Sequence, residues 1–253
     1  MRSSATFENV FNFRDAGGHR TVDGRSVKLG CLFRSGAFSA PTDGDLDQLS
    51  HLGVRLLIDL RGCSEQMQSP NRLPVKNRPV TLSVPIWPTA INETERALLA
   101  GTIRELGTSS EPDTPGAMRN FYRSFIRDHR DELSRLLHKL CEKGTQPVVV
   151  HCAGGKDRTG VAIAVILLAL GVPKDAVMQD YLQTNVAVDQ WIAVDHPNGL
   201  PPFFLSVMKA DRSYLDAAFS EVDAEFGGFE NYLMNHLHFP KTQRELLKAA
   251  YLE

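Results

Sequence analysis

The sequence predicts an α/β fold with a mostly parallel sheet covered by helices and a helical C-terminal part. Three observations predict it. Short runs rich in β-branched residues and Leu recur at 54–60, 80–86 and 147–151. Longer stretches with helical apolar spacing lie between and after them. The middle of the chain runs strand, glycine-bearing loop, apolar helix, the order expected of a parallel sheet with helices on its faces.

Taken in order, residues 1–45 are rich in Gly, Asp, Ser and Arg and predict loops and short strands, with a hairpin turn at Asp23-Gly24. Thr42 predicts the N-cap of a helix from Asp43 to Leu52. Residues 54–60 and 80–86 predict strands. Residues 88–115 are polar and broken by Pro and Gly, with one helical island at about 93–106. An insert of that kind predicts a cover over a site or a mobile segment. Met118, Phe121, Tyr122, Phe125, Leu133, Leu136, Leu137 and Leu140 predict one helix over 116–143, with Gly144 as its C′ residue. A buried strand at 147–151 precedes an apolar helix over 158–170, closed by Gly171-Val172-Pro173. Helical patterns then alternate with short breaks to the end. No internal repeat or linker composition is visible.

Composition removes several function classes. The 253 residues carry 28 basic and 30 acidic side chains, a net charge of −2, with 42 % apolar residues. That is ordinary globular usage, not disorder. Without an excess of Lys and Arg, broad nucleic-acid binding is not expected. Four scattered cysteines and no CxxC argue against a disulfide scaffold or a metal ribbon. No metal or cofactor is expected, and His236 and His238 predict surface histidines, since no further ligand spacing accompanies them. The first residues lack an apolar signal-peptide core. The longest apolar run, 161–172, is about 12 residues, against roughly 18 or more for a membrane span. A reducing, cytoplasmic setting is expected, although secretion without a cleaved signal leaves no trace in a sequence.

The informative stretch is VVVHCAGGKDRTG, Val148 to Gly160. Cys152 and Arg158 stand in a Cys-x5-Arg relation. Five intervening residues let the backbone curl into a cup with N–H groups inward. Gly154 and Gly155 permit positive φ where the curl requires it. The helix that follows turns its positive end toward the cup, and such a nest suits a tetrahedral dianion. Arg158 can close it with a bidentate fork that Lys could not copy. The same field favours a thiolate at Cys152, placed for in-line attack on phosphorus.

HCAGGKDRTG resembles the HCxxGxxR[ST]G signature loop of the protein tyrosine phosphatase superfamily. Together with NFRDAGG (Asn12 to Gly18), FRSGAF (Phe33 to Phe38), IDLR (Ile58 to Arg61), DYLQTN (Asp180 to Asn185) and YLDAAFSEVDAEFGGFENYL (Tyr214 to Leu233), it looks like the bacterial and fungal PtpB-like tyrosine/lipid phosphatases. The resemblance spans nearly the whole chain and is weakest at 88–115. It implies a single catalytic domain over 1–253, of the cysteine-phosphatase type. Cys152 would be the nucleophile. Arg158 would bind phosphate and stabilise the transition state. Ala153, Gly154, Gly155, Lys156 and Thr159 would line the cup, with the Thr159 hydroxyl donating to the sulfur. His151 would brace the loop and take no part in acid–base chemistry.

A leaving oxygen also needs a proton. Many tyrosine phosphatases hold their acid on a Trp-Pro-Asp loop, but this chain has Trp87-Pro88-Thr89. Following the PtpB-like and myotubularin-type pattern, Asp157 is expected as general acid and then as base toward water. Asp59 is the second choice, or else an ion-pair partner of Arg61 or Arg14.

Expected substrates are phosphotyrosine, phosphoserine or phosphothreonine in proteins, and phosphoinositides, with Lys156 adding charge at the rim as in tensin-type lipid phosphatases. Phe13, Trp87, Phe121 and Tyr122 are candidate apolar walls, or else core. Arg14 and Arg61 either flank the loop or form structural ion pairs. Cys31, Cys63 and Cys141 lack phosphatase spacing, and Cys63 is the first candidate for a thiol that could protect Cys152 under oxidation. Intact Cys152, Asp157, Arg158 and Thr159 argue against a pseudophosphatase that only binds phospho-ligands. The loop body fits neither a rhodanese-type sulfurtransferase nor an arsenate reductase. Oligomeric state is left open.

Overall fold

The computed structural model describes residues 7–87, 113–196, 199–200 and 202–253. The expected helical island at 93–106, and with it most of the expected cover, lies outside these residues. Among the described residues, five strands form one sheet in the order β1-β2-β5-β3-β4. They are β1 (Arg14–Asp15), β2 (Leu32–Ser35), β3 (Leu56–Asp59), β4 (Val80–Ser83) and β5 (Val148–His151). Only β1 runs antiparallel to its neighbour.

Strand alternation sets the two faces. Leu32, Leu56, Ile58, Val148 and Val150 face one apolar core, and Phe33, Leu57 and Val149 face another. The larger core is built from α3 (Thr114–Asp128), α4 (Arg130–Leu140), α5 (Asp157–Leu170), α6 (Lys174–Leu182), α9 (Arg212–Phe226) and α10 (Lys241–Tyr251). The smaller holds Val10, Phe38 and, on α1 (Asp43–His51), Leu49. The helix α2 (Cys63–Gln68) follows β3, while α7 (Thr184–Asp195) and α8 (Pro202–Met208) follow α6. Among the described residues no helix is long and apolar enough to cross a membrane.

Local signals explain the element ends. Thr42 Oγ1 accepts from the Asp45 N–H and Asp45 Oδ2 from the Thr42 N–H, a capping box that starts α1. The Asp23-Gly24 turn is present, with Gly24 at φ +87° and a bridge between Arg20 and Ser26. Gly171, at φ +94°, ends α5. Every residue of α5 from Arg158 to Leu170 is buried, which is why the helix is apolar all round.

Two expectations are corrected. The single helix over 116–143 is two, because His129 leaves helical geometry at φ −119°, ψ 37°. Its ring Nε2 meets the Trp87 carbonyl at 2.6 Å instead of facing solvent. Gly144 is not the C′ residue: α4 ends at Leu140, with Cys141 as cap, and Gly144 serves a later turn at φ +80°.

Candidate active site

The carboxyl ends of β2, β5 and β3 are level, since Ser35 and Asp59 both pair with His151. The loop Cys152–Lys156 therefore leaves the sheet at its centre, on the edge where α/β proteins bind ligands, and runs straight into α5.

Two loop carbonyls are pinned outward. Ala153 O accepts from the Ala37 N–H at 2.9 Å. Gly155 O accepts from Arg34 Nη2 and Asn12 Nδ2, each at 2.9 Å. In a trans peptide the carbonyl and the next N–H point opposite ways, so the N–H groups of Gly154 and Lys156 turn to the other side, into the cup. The first N–H groups of α5, at Asp157, Arg158 and Thr159, have no intrahelical acceptor. Cys152 is buried, while Ala153 and Gly154 are exposed.

Gly155 is the tightest point. It sits at φ +65°, and a Cβ there would stand 2.4 Å from the Ser35 carbonyl carbon. Gly155→Ala should cost at least about 2 kcal/mol through strain and clash, read as a lower denaturant midpoint, with weaker vanadate binding. Unchanged stability would show that the loop is not pressed on β2 as described.

Behind the cup lies a buried ionic cluster. Arg34 Nη1 holds Asp180 Oδ2 at 2.6 Å, and Arg14 Nε lies 3.5 Å from Asp180 Oδ1. Arg14 also donates to Asn12 Oδ1 and to the Asp180 carbonyl. Burial alone would raise the Asp180 carboxyl, but Arg34, then Arg14, outweigh it and hold it below the usual carboxylate range.

A second cluster braces the loop's other side. Asp59 accepts from Arg61 Nε, Nη2 and backbone N–H, and from Asn71 Nδ2 at 3.0 Å. Burial opposes the Asp59 charge, yet the Arg61 hydrogen bonds and charge prevail and lower its pKa. His151 is fully buried. Its Nδ1 lies 3.0 Å from the Cys152 carbonyl and its Nε2 3.1 Å from Asn71 Nδ2. A carbonyl only accepts and an amide nitrogen only donates, so the ring is neutral with its proton on Nδ1. Burial pushing its pKa down agrees.

Arg158 is oriented by Glu65. Its Nη1 donates to Glu65 Oε2 at 2.6 Å and its Nη2 to Oε1 at 2.9 Å. Glu65 Oε2 also accepts from the Gly62 N–H at the start of α2. Burial disfavours both charges, but their mutual hydrogen bonds win: Arg158 is raised and Glu65 lowered. The Trp87 ring centroid lies 5.7 Å from the Arg158 guanidinium carbon.

The sequence profile of the tyrosine phosphatase family matches residues 5–253. The chain belongs to the tyrosine phosphatase family. A putative tyrosine-protein phosphatase of Cupriavidus necator is 28 % identical, covering 99 % of this chain and 89 % of that protein. The triple specificity protein phosphatase PtpB of Mycobacterium tuberculosis is 31 % identical, covering 88 % of this chain and 90 % of its own length. A tyrosine-protein phosphatase of Nostoc commune is 29 % identical over 62 % of this chain and 49 % of its own. The chain is thus a phosphatase, a phosphoric monoester hydrolase of this family.

Within this phosphatase, the structure brings Cys152, the loop from Ala153 to Gly155, Asp157 and Arg158 together at one edge. Other expectations are revised. Lys156 is not a free charge at the rim. Its ammonium donates to the carbonyls of Val207 and Lys209 and forms an ion pair with Asp157 Oδ1 at 3.1 Å. Asp59, the alternative acid, is buried in its pair with Arg61, and Arg14 pairs with Asp180. The Thr159 hydroxyl is buried without a partner among the described residues, and its bond to the Cys152 sulfur is not formed. Of the aromatic candidates, Trp87 stands by Arg158, Phe121 and Tyr122 are core, and Phe13 stacks on Phe33.

Glu65 had no assigned role. Its only local signal is that of an acidic N3 residue after a glycine N-cap. Arg34 and Asp180 lay in segments that carried the resemblance, again without a role.

Proposed function

We propose that this phosphatase hydrolyses phosphate monoesters, phosphotyrosine foremost, through a phosphocysteine on Cys152. One observation carries the reading: a buried Cys152 lies under a loop whose carbonyls are pinned outward, at the start of a helix, beside an arginine fork already oriented by Glu65.

The steps follow from the atoms. The substrate phosphate sits on the loop N–H groups and Arg158. Cys152 Sγ attacks phosphorus, the P–O ester bond breaks, and Asp157 passes its proton to the leaving oxygen. Water then attacks the phosphocysteine, Asp157 takes its proton, and the S–P bond breaks to release phosphate and the thiolate. Asp59 is a poor acid here, because it is buried and Arg61 and Asn71 occupy both of its oxygens, whereas Asp157 is partly exposed. Arg158 stabilises the equatorial oxygens in both steps.

Two features favour phosphotyrosine. The Trp87 ring by Arg158 offers an aromatic wall, and Lys156 is internally engaged, which removes one charge for further phosphates of an inositol ring. Phosphoserine, phosphothreonine and phosphoinositides belong in the test, because the mycobacterial relative is named a triple specificity phosphatase.

The experiment is hydrolysis of an aryl phosphate in EDTA, followed by a panel of phosphopeptides and phosphoinositides read as kcat/KM. Activity should persist in EDTA, be inhibited by vanadate and vanish in Cys152→Ser. Retained turnover in Cys152→Ser would sink the phosphocysteine. A higher kcat/KM on a phosphoinositide than on phosphotyrosine peptides would overturn the substrate preference.

A further inference from the structure

Tyr122 on α3 is fully buried among rings: Phe125 at 5.9 Å, Tyr181 at 6.0 Å and Tyr214 at 5.8 Å between centroids. A phenylalanine would serve that packing. A buried hydroxyl costs about 1–3 kcal/mol unless it is bonded, and this one is bonded to the site. Tyr122 Oη donates to Asp157 Oδ1 at 2.6 Å and lies 2.7 Å from Tyr181 Oη. A tyrosine has one proton to give. Tyr122 spends it on Asp157, so Tyr181 donates to Tyr122, and the chain runs Tyr181 to Tyr122 to Asp157.

The signature glycine makes this possible. A Cβ on Gly160 would stand 2.9 Å from the Tyr181 ring, so only glycine lets that ring lie against the first turn of α5. Burial, the Asp157 charge and the neighbouring hydroxyl keep Tyr122 protonated well above the usual tyrosine range. Burial, then Asp157, does the same for Tyr181. Both remain donors wherever the enzyme works.

At the other end, Asp157 Oδ1 accepts from Tyr122 and forms an ion pair with the Lys156 ammonium at 3.1 Å. A proton on Oδ1 would face both. Asp157 Oδ2 has no partner among the described residues, and the side chain is partly exposed.

We infer that Tyr122, held in turn by Tyr181, is a positioning residue for the proton donor, fixing Asp157 so that Oδ2 carries the proton to the leaving oxygen. The inference rests on the reading of Asp157 as the general acid.

The test is Tyr122→Phe, which removes one oxygen and keeps the ring. Its kcat/KM is measured on 4-nitrophenyl phosphate, whose leaving group hardly needs a proton, and on phenyl phosphate, whose leaving group does. Tyr122→Phe should lower phenyl phosphate hydrolysis about 10- to 50-fold and 4-nitrophenyl phosphate less than about threefold. Tyr181→Phe should act in the same direction by about threefold, and should add nothing on top of Tyr122→Phe, since it works through Tyr122. A merely structural role would lower both substrates together.

Asp157→Asn is run in parallel. If it discriminates between the substrates and Tyr122→Phe does not, the positioning role is overturned while the acid stands. If Asp157→Asn does not discriminate, the acid assignment has failed and the positioning role falls with it. Should Tyr122→Phe not fold, Tyr181→Phe decides alone: equal effects on both substrates overturn the inference.

Discussion

Arg158→Lys should lower kcat/KM on an aryl phosphate by at least about a thousandfold while leaving the protein folded. A guanidinium has five N–H donors in a fixed plane. Glu65 takes one on each terminal nitrogen, at 2.6 and 2.9 Å, leaving three for phosphate. The pair therefore aims the fork without exhausting it. Lys keeps the charge but offers no plane. It can satisfy Glu65 or the phosphate oxygens, and cannot hold both in register. Losing one preorganised donor to a developing oxyanion costs about 2.7–4 kcal/mol, and Arg158 supplies a pair. Steady-state kinetics beside a thermal unfolding curve is the measurement. Activity above about a tenth of wild type would mean that charge alone, not the fork, carries the stabilisation. Glu65→Gln separates orientation from contact: Arg158 remains but loses its charged anchor, and a loss of about tenfold is expected.

That contrast also shows what was legible in the sequence. The loop could be read because its chemistry is local: Cys152, two glycines and Arg158 lie within one turn and the start of one helix. The central strands β3 and β5 could be read because burial on both faces demands apolar runs, and their alternation sorted their residues onto two cores. Glu65 could not be read, because its partner lies 93 residues away and its own surroundings say only that it caps a helix. Tyr122 was visible as one position in an apolar stripe, and periodicity does not register what a hydroxyl touches. The stripe has a gap at the six polar residues 127–132, and the helical spacing on either side of it hid the break at His129. Lys156 misled for a related reason. A lysine in an exposed-looking loop predicts a solvated charge, yet carbonyls of Val207 and Lys209, more than fifty residues on, capture it.

Asp180→Asn should be the most destabilising polar substitution behind the cup. Asp180 sits between Arg34, fully buried, and Arg14, and its carboxylate is the anion paired with both. Removing one member of a buried ionic group leaves the others uncompensated, at a cost of about 3–5 kcal/mol. The Asn amide would turn N–H donors on guanidinium donors. For a chain of this size the expected fall in Tm is about 10 °C. The effect should reach the site, because Arg34 joins Asp180 to the Gly155 carbonyl and so to the inward N–H of Lys156. Weaker vanadate binding should accompany the lower Tm. The pH dependence follows from the depressed Asp180 pKa. The stabilisation is present above the unfolded carboxylate value of about 3.9 and is lost as pH falls through the lower folded value. Wild type should therefore lose stability on acidification below about pH 4, and Asp180→Asn should lose less over the same window. Equal acid sensitivity in both proteins would place that titration on another carboxylate. An unchanged Tm would mean that the two arginines do not depend on Asp180 for compensation.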